Sequence, residues 1–449
     1  MININRRGFL SLGAAASAGA LLAACGGNDG SSGSATPKSS ADIAAALSKP
    51  TTLTFWTWLT GIEEEVKLFE AKYPNIKVNV VNAGQGNDQY TKLRSALKAG
   101  NGAPDVVQIG LDTVGSFSIT GDLLDLGPYG AAEVKNDFVE WTWKQVSDGD
   151  KVYAIPQDTG PMGMLYRKDI FDQYGLKVPT TWEEFAEQGR KLHAANPKIA
   201  MMNLPNNDAP NIFGYAWQAG ARPFQVDGSN VTIAVNSPEM KKLADYWTPL
   251  VQQGVFSADP DFNNDWYAGL SNGSYATWVT AAWAPQFLQG SAAKTAGKWR
   301  VAPMPQWGTG AAVSGNWGGS TSAVPQQTKN PEAAAALAIF LNHDPQSSLL
   351  LTQKQSLFPP LKATLADPKF TGGKNDFFGG QKVNEEFATY AGTVSNDFQF
   401  PPFNDYVISS FDPSVGTALS KKAPLSSALD EWQSTLVSYA GKQGFKVNG

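Results

Sequence analysis

The chain has 449 residues, 42% of them apolar and 17% charged, and carries a net charge of −5. That length suits two or three domains with proper cores; the acidic balance excludes a basic nucleic-acid binder as the default, and a mean hydropathy of −0.25 argues against a polytopic membrane protein. One cysteine and two histidines, His193 and His343, exclude an internal disulfide, a thiol-rich zinc site and an iron–sulfur cluster, so no metal and no cofactor is expected.

The first 24 residues read as an export address. Arg6 and Arg7 precede an apolar stretch, Phe9 to Ala24, that is too short to span a bilayer comfortably. Asn5-Arg6-Arg7-Gly8-Phe9-Leu10 resembles a twin-arginine signal, with Asn where Ser or Thr is more usual. Leu22-Ala23-Ala24-Cys25 resembles the bacterial lipobox, in which the Cys thiol takes a diacylglyceryl group and cleavage leaves Cys25 first. Residues 26 to 40, rich in Gly, Ser and Asn, cannot bury a core. Residues 25–50 are therefore expected to be a lipid-anchored linker, with the folded body starting near Thr51 outside the membrane.

The body opens as an alternating chain. Thr52 to Trp58 is β-branched and aromatic, hence a strand. Ile62, Val66, Phe69 and Tyr73 recur at helical spacing, and Pro74 ends that helix. Ile76, Val78 and Val80 alternate in a second strand; Tyr90, Leu93 and Leu97 mark a second helix with Gly100 as its C-cap; Asp105 to Ile109 is a third, buried strand. This is βαβαβ, the parallel open-sheet pattern, in which ligands bind beyond the carboxyl ends of the strands. Further on, Val152 to Ile155 and Met162 to Tyr166 read as two strands joined by residues 156–161. Thr181 and Glu184 form a capping box, Trp299 to Met304 is a strand ended by Pro305, and Ser314 to Gly319 reads as a turn-rich break. Asn330-Pro331 caps and opens an Ala-rich helix to Leu341, and the last hundred residues read as loops and helices.

Several stretches carry a resemblance: LTFWTWLTG, ALKAGNGAPDVVQIG, GDLLDLGPY, KVYAIPQDTGPMGMLYRKDIFDQYGL with PTTWEEF, LSNGSYATWVTAAW, and WRVAPMPQW with GNWGGSTSAV. Together, in this order and behind a lipobox, they resemble the family 1 extracellular solute-binding proteins of ABC importers, the maltose-binding-protein-like group. Arg167 departs from the family's usual Asn, and the last hundred residues match poorly. The resemblance implies a two-lobed α/β, periplasmic-binding-protein-like fold with a ligand cleft and a hinge. It places three chain crossings near Asp158, Gly315 and Leu357. The N-lobe would be 51–158 plus 315–356 and the C-lobe 159–314 plus 357–449. Closure of the hinge on the ligand would present a form recognised by the ABC permease membrane subunits.

A sugar offers flat C–H faces to aromatic rings and paired hydroxyls to carboxylates and amides, and the 14 tryptophans suit that chemistry. Trp283, in Val-Thr-Ala-Ala-Trp-Ala-Pro, matches the family's stacking Trp after a strand. Trp58 ends the first strand at a position similar to a sugar-contacting one; the ordinary alternative is core covering the sheet. Asp112 aligns with an acidic ligand contact, and the alternative is a helix N-cap. Asp158, in the first crossing, contacts ligand or only shapes the hinge. Trp317 borders the second crossing. Gln85, Asn211 and Trp217 are weaker candidates, with Trp217 readable as core, as is Trp56; Asp105 reads as structural. Other motifs fail. Gly84-Gln85-Gly86 has Gln89 where a dinucleotide loop needs Gly, no Walker loop or Gly-x-Ser-x-Gly elbow is present, and Glu63–Glu65 and Glu183–Glu184 fall in first helical turns where the dipole explains them. The expectation is a monomeric, lipid-anchored receptor on the extracytoplasmic face, not an enzyme, that binds a di- or oligosaccharide and touches neither nucleic acid nor, except through its lipid, the membrane. The alternatives are a polyamine binder and, from another class, a secreted glycoside hydrolase.

Overall fold

The computed structural model describes residues 38–308 and 310–448. Cys25, the leader and residues 26–37 of the expected linker lie outside the described residues, but the rest of that linker is not all tether: Ser40–Leu47 is a helix with Leu47 buried, packed on Pro331–His343, so the folded body begins before Thr51. Among the described residues, no helix is long and apolar enough to cross a membrane.

Seven strands build the main sheet: β1 (Thr51–Trp56), β2 (Ile76–Val81), β3 (Val106–Gly110), β4 (Ala154–Arg167), β5 (Thr277–Ala281), β6 (Trp299–Pro303) and β7 (Asn316–Ala323). The expected βαβαβ opening is present. β1 pairs in parallel with β2 and β3, and helices Glu63–Lys72 and Asn87–Ala99 connect them. Alternation does the work in β1: Leu53 and Phe55 are fully buried while Thr52 and Thr54 are not. Gly100 ends its helix at φ +70°, a left-handed conformation suited to Gly. Asp105 is structural, as read from the sequence: it accepts the Thr54 N–H (2.9 Å) and the Thr328 hydroxyl (2.7 Å).

The sheet order is β2-β1-β3-β7-β4-β5, with β6 also pairing β4. The strand that joins the two halves is β4. Its first part, Ala154 to Pro161, pairs with β7, and its second part, from Met162 on, lies between β5 and β6. Here the sequence reading needs correction. Residues 156–161 were expected to link two strands, because Pro156 and Pro161 each remove a ladder donor. They are instead the middle of one 14-residue strand. The prolines are tolerated because the β4–β7 register shifts twice, between Asn316 and Gly319 and between Ser320 and Thr321, so the ladder is already interrupted there. The expected break at 314–319 is the same irregularity seen from the other strand: β7 begins at Asn316 and takes Gly318 and Gly319 through positive φ as a bulge.

The second half carries the capping box, with Thr181 accepting from the Glu184 N–H and Glu184 from the Thr181 N–H. Helix Pro331–His343 returns to pack on Ser40–Leu47 and Glu63–Lys72 of the first half. Asn330 occupies its N-cap position without a side-chain cap; its amide points instead at Asp105 (3.4 Å), which competes for it. The last hundred residues are mainly helices and loops, as read, with one strand not read from the sequence, Lys446–Asn448, paired in parallel with Asn230–Ile233; Leu425–Lys442 packs along Pro238–Gln252, completing the second half.

Candidate functional site

At the carboxyl ends of β1, β2, β3 and β5 lies a cavity of about 600 Å³. Five of the seven residues named from the sequence line it: Trp58 two residues past β1, Gln85 past β2, Asp112 past β3, Asp158 within β4 and Trp283 past β5. Four of them lie just beyond strand ends, where the open-sheet rule places a ligand. A smaller hollow of about 320 Å³, lined by Leu111, Lys144, Asp148 and Phe400 among others, holds none of the seven.

Two named residues do not line the cavity. Trp317 is only 5% exposed and stands behind Trp283: its carbonyl accepts the Trp283 indole N–H (2.9 Å), and the rings meet edge-on at 4.8 Å. Asn211 is buried in the first turn of helix Ala209–Gln218, where its N–H donates to Asp208 (2.9 Å). Trp217 is core, stacked on Phe398 at 4.5 Å, and Trp56 is half-buried against the core.

The acids are held by donors. Asp112 sits inside a one-turn helix, Leu111–Thr113, rather than at a helix N-cap, and accepts from the Thr113 hydroxyl (3.1 Å) and the Asn404 amide (3.0 Å). Burial pushes its carboxyl up to about 6, with Asp405 adding to the rise and Thr113 and Asn404 opposing it. Asp158 accepts a hydrogen bond from the Ser320 hydroxyl, and burial pushes it, too, up to about 6 against that bond. Both carboxylates are thus ionised at neutral pH and protonated in mild acid. Among the described residues, no Lys or Arg lines the cavity.

The aromatic side is larger than the sequence suggested. Phe262, Trp283 and Phe287 form a mutually tilted trio with centroids 5.9–6.1 Å apart. Phe262 is 38% and Phe287 49% exposed, the latter the most exposed large apolar side chain among the described residues. Phe287 had a readable signal: it lies four residues after Trp283, at the start of helix Ala284–Ser291, and so shares its face. Phe262 had none, since its place depends on a positive φ of 54° in a loop. Tyr90, Gln286, Gln355, Ser356 and Leu357 also line the cavity, and Gln286 and Ser356 are hydrogen-bonded to each other.

A two-lobed α/β body with an aromatic and acidic cavity at its strand ends defines a ligand-binding protein of the periplasmic type. The profile of the bacterial extracellular solute-binding proteins matches residues 57–346, and the chain belongs to that family of extracytoplasmic binding proteins. It is 32% identical, with a TM-score of 0.75, to the ABC transporter-associated binding protein of Bifidobacterium animalis subsp. lactis solved with β-1,6-galactobiose; the match covers 89% of this chain and 99% of that one. It is 26% identical, with a TM-score of 0.76, to the galacto-N-biose/lacto-N-biose I-binding protein of Bifidobacterium longum solved with lacto-N-biose, over 88% and 98% of the two chains. The arabinooligosaccharide-binding protein of Halalkalibacterium halodurans is 24% identical over 79% of this chain and 84% of its own.

Proposed function

We propose that this protein captures a neutral di- or oligosaccharide in the 600 Å³ cavity and delivers it to an ABC importer. The observation that carries the reading is the lining itself. Five aromatic side chains (Trp58, Tyr90, Phe262, Trp283 and Phe287) offer ring surface for C–H patches, two carboxylates and three glutamines take hydroxyls, and among the described residues no Lys or Arg lines the cavity to hold an acidic sugar. The sugar ligands of the similar binding proteins support the class. In this reading the lobes are 51–158 plus 315–356 and 159–314 plus 357–449, with crossings near Asp158, Gly315 and Leu357, and binding closes one lobe on the other. Cys25 carries the lipid that holds the mature, monomeric protein at the outer face of the membrane, and the protein binds without turning its ligand over.

Two acids without a cation also favour a second reading, a polyamine. A thermal-shift screen of residues 26–449 separates the two. β-1,6-Galactobiose, lacto-N-biose, arabino-oligosaccharides, putrescine and spermidine are each offered at 100 times a micromolar dissociation constant, where a true ligand stabilises by about 2.7 kcal/mol. A sugar shift that persists in about 0.5 M salt is expected; a spermidine shift that vanishes there, because charge pairs are screened, overturns the sugar. Sustained release of reducing ends would overturn binding without turnover. Incorporation of labelled fatty acid that persists in Cys25→Ala would remove the anchor.

A further inference from the structure

Gln108 was not among the residues named from the sequence and does not line the cavity, yet its side chain is fully buried in β3 beneath it. Its carbonyl oxygen Oε1 accepts from the Thr57 hydroxyl (2.6 Å) and from the main-chain N–H of Trp58 (3.2 Å). Thr57 in turn accepts from the Leu59 N–H (3.1 Å), so the three residues that follow β1 hang on one amide oxygen. The other end of the same amide, Nε2, donates to Gln157 Oε1 (2.8 Å) and to the Ser320 hydroxyl (3.1 Å). The Ser320 hydroxyl in turn donates a hydrogen bond to Asp158. Gln157 continues the chain to Asn342 (3.3 Å), which donates to the Ile155 carbonyl (2.9 Å). All these side chains except Trp58 and Leu59 are buried.

We infer that Gln108 is a positioning residue whose single amide holds the Trp58 segment and the Asp158 carboxylate in fixed register, tying the first half of the cavity to the strand that joins the two halves. The requirement is chemical as well as steric. The position must accept on one side and donate on the other, so a carboxylate can serve only the first side and a thioether neither. Buried polar partners left unpaired on either side carry a penalty that water cannot relieve. The consequence for ligand rests on the sugar reading; the coupling itself does not.

The test has a ligand-free arm. Two variants, Gln108→Glu and Gln108→Met, are compared with Val107→Ala, a buried neighbour on β3 outside the network, as a control for lost stability. In Gln108→Met, hydrogen exchange at the Trp58 amide should rise at least about tenfold, the scale of one lost buried bond, beyond any rise in Val107→Ala. In Gln108→Glu, which keeps the bonds to Thr57 and Trp58, the Asp158 carboxyl ¹³C signal should acquire a titration midpoint about one unit above that of the parent protein, because the two carboxyls share the Ser320 hydroxyl. In the second arm, binding of β-1,6-galactobiose, lacto-N-biose or arabino-oligosaccharide by calorimetry should weaken by roughly ten- to a hundredfold in both variants. In Gln108→Glu alone it should also lose strength at a higher pH than the parent does. Unchanged Trp58 exchange and an unchanged Asp158 midpoint overturn the inference, whatever binds. A changed network in a protein whose parent form binds none of the three sugars leaves the coupling standing and overturns the sugar.

Discussion

The two sides of the cavity are built on different physics. On the side of β1, β3 and the start of β4, the polar groups are held by hydrogen bonds: Trp58 through its main chain, Asp112 by Thr113 and Asn404, Asp158 by Ser320, and Gln108 lies beneath two of the three. On the side that follows β5, Phe262, Trp283 and Phe287 lean on each other and two of them stand well exposed. One side is a fixed set of directional partners; the other is apolar area that has no cover. Directional bonds set which hydroxyls fit, and area supplies the free energy of covering the aromatic faces, at about 25 cal/mol per Å².

The comparison breaks first where the halves meet. Gly160 lies in β4 against the Trp317 carbonyl of β7, so a Cβ there collides with that oxygen, and its N–H donates to Asn316 (2.8 Å). Gly160→Val should cost about 3 kcal/mol or more in folding, the upper range for a single substitution, because backbone rather than a flexible side chain must give way. Denaturant unfolding measures it, and a wild-type midpoint would mean that the two strands do not meet so closely. The next largest effect is on the aromatic side. Trp283→Ala should weaken sugar binding by roughly 1–3 kcal/mol, the scale of losing one buried aromatic face. Unchanged affinity by calorimetry would take Trp283 out of the site and leave the trio without its centre.

The committed side answers to pH. As pH falls from 7.5 to 5, Asp112 and Asp158 gain protons around 6, and the bonds they accept from sugar hydroxyls change from charge-assisted to weaker neutral ones. Affinity should fall by up to about tenfold, the worth of one charged bond becoming neutral. The stability of the ligand-free protein should move the other way. Burial raises both carboxyls above their unfolded value of 3.8, so the folded state takes up protons first. Their contribution to stability is complete below that value and is lost as pH rises through about 6. Titrations of affinity and of melting temperature over the same range test the pair of signs. Parallel trends would mean that the two acids do not face the ligand.

How much of this was legible in the sequence follows the same division. The strands that open the sheet, and hence the places of Trp58, Gln85 and Asp112, follow from alternation, helical spacing and the carboxyl-end rule, all local properties. β4 was misread because two prolines mark a boundary in any local reading, and only the irregular register of β7 makes them acceptable. Trp317 looked like a contact because it borders the second crossing, but the bulge at Gly318–Gly319 leaves it 5% exposed behind Trp283. Gln108 and Asn404 reach their partners across 50 to 292 positions of chain, from Trp58 to Asp112, and no spacing rule spans such distances.

The smallest effect sharpens the contrast most. Phe287 is 49% exposed and takes part in no hydrogen bond through its side chain, so Phe287→Ala should change folding stability by less than about 0.5 kcal/mol. It should still weaken sugar binding by about 1 kcal/mol if the apolar side works through area, since the ring is buried only when ligand covers it. The same truncation on the committed side cannot separate the two quantities, because a buried partner such as Gln108 serves fold and site at once. Measuring melting temperature and affinity for Phe287→Ala together therefore asks whether the aromatic side is a surface kept for ligand. Loss of stability without loss of affinity would make it part of the core instead, and the cavity would then have one working side.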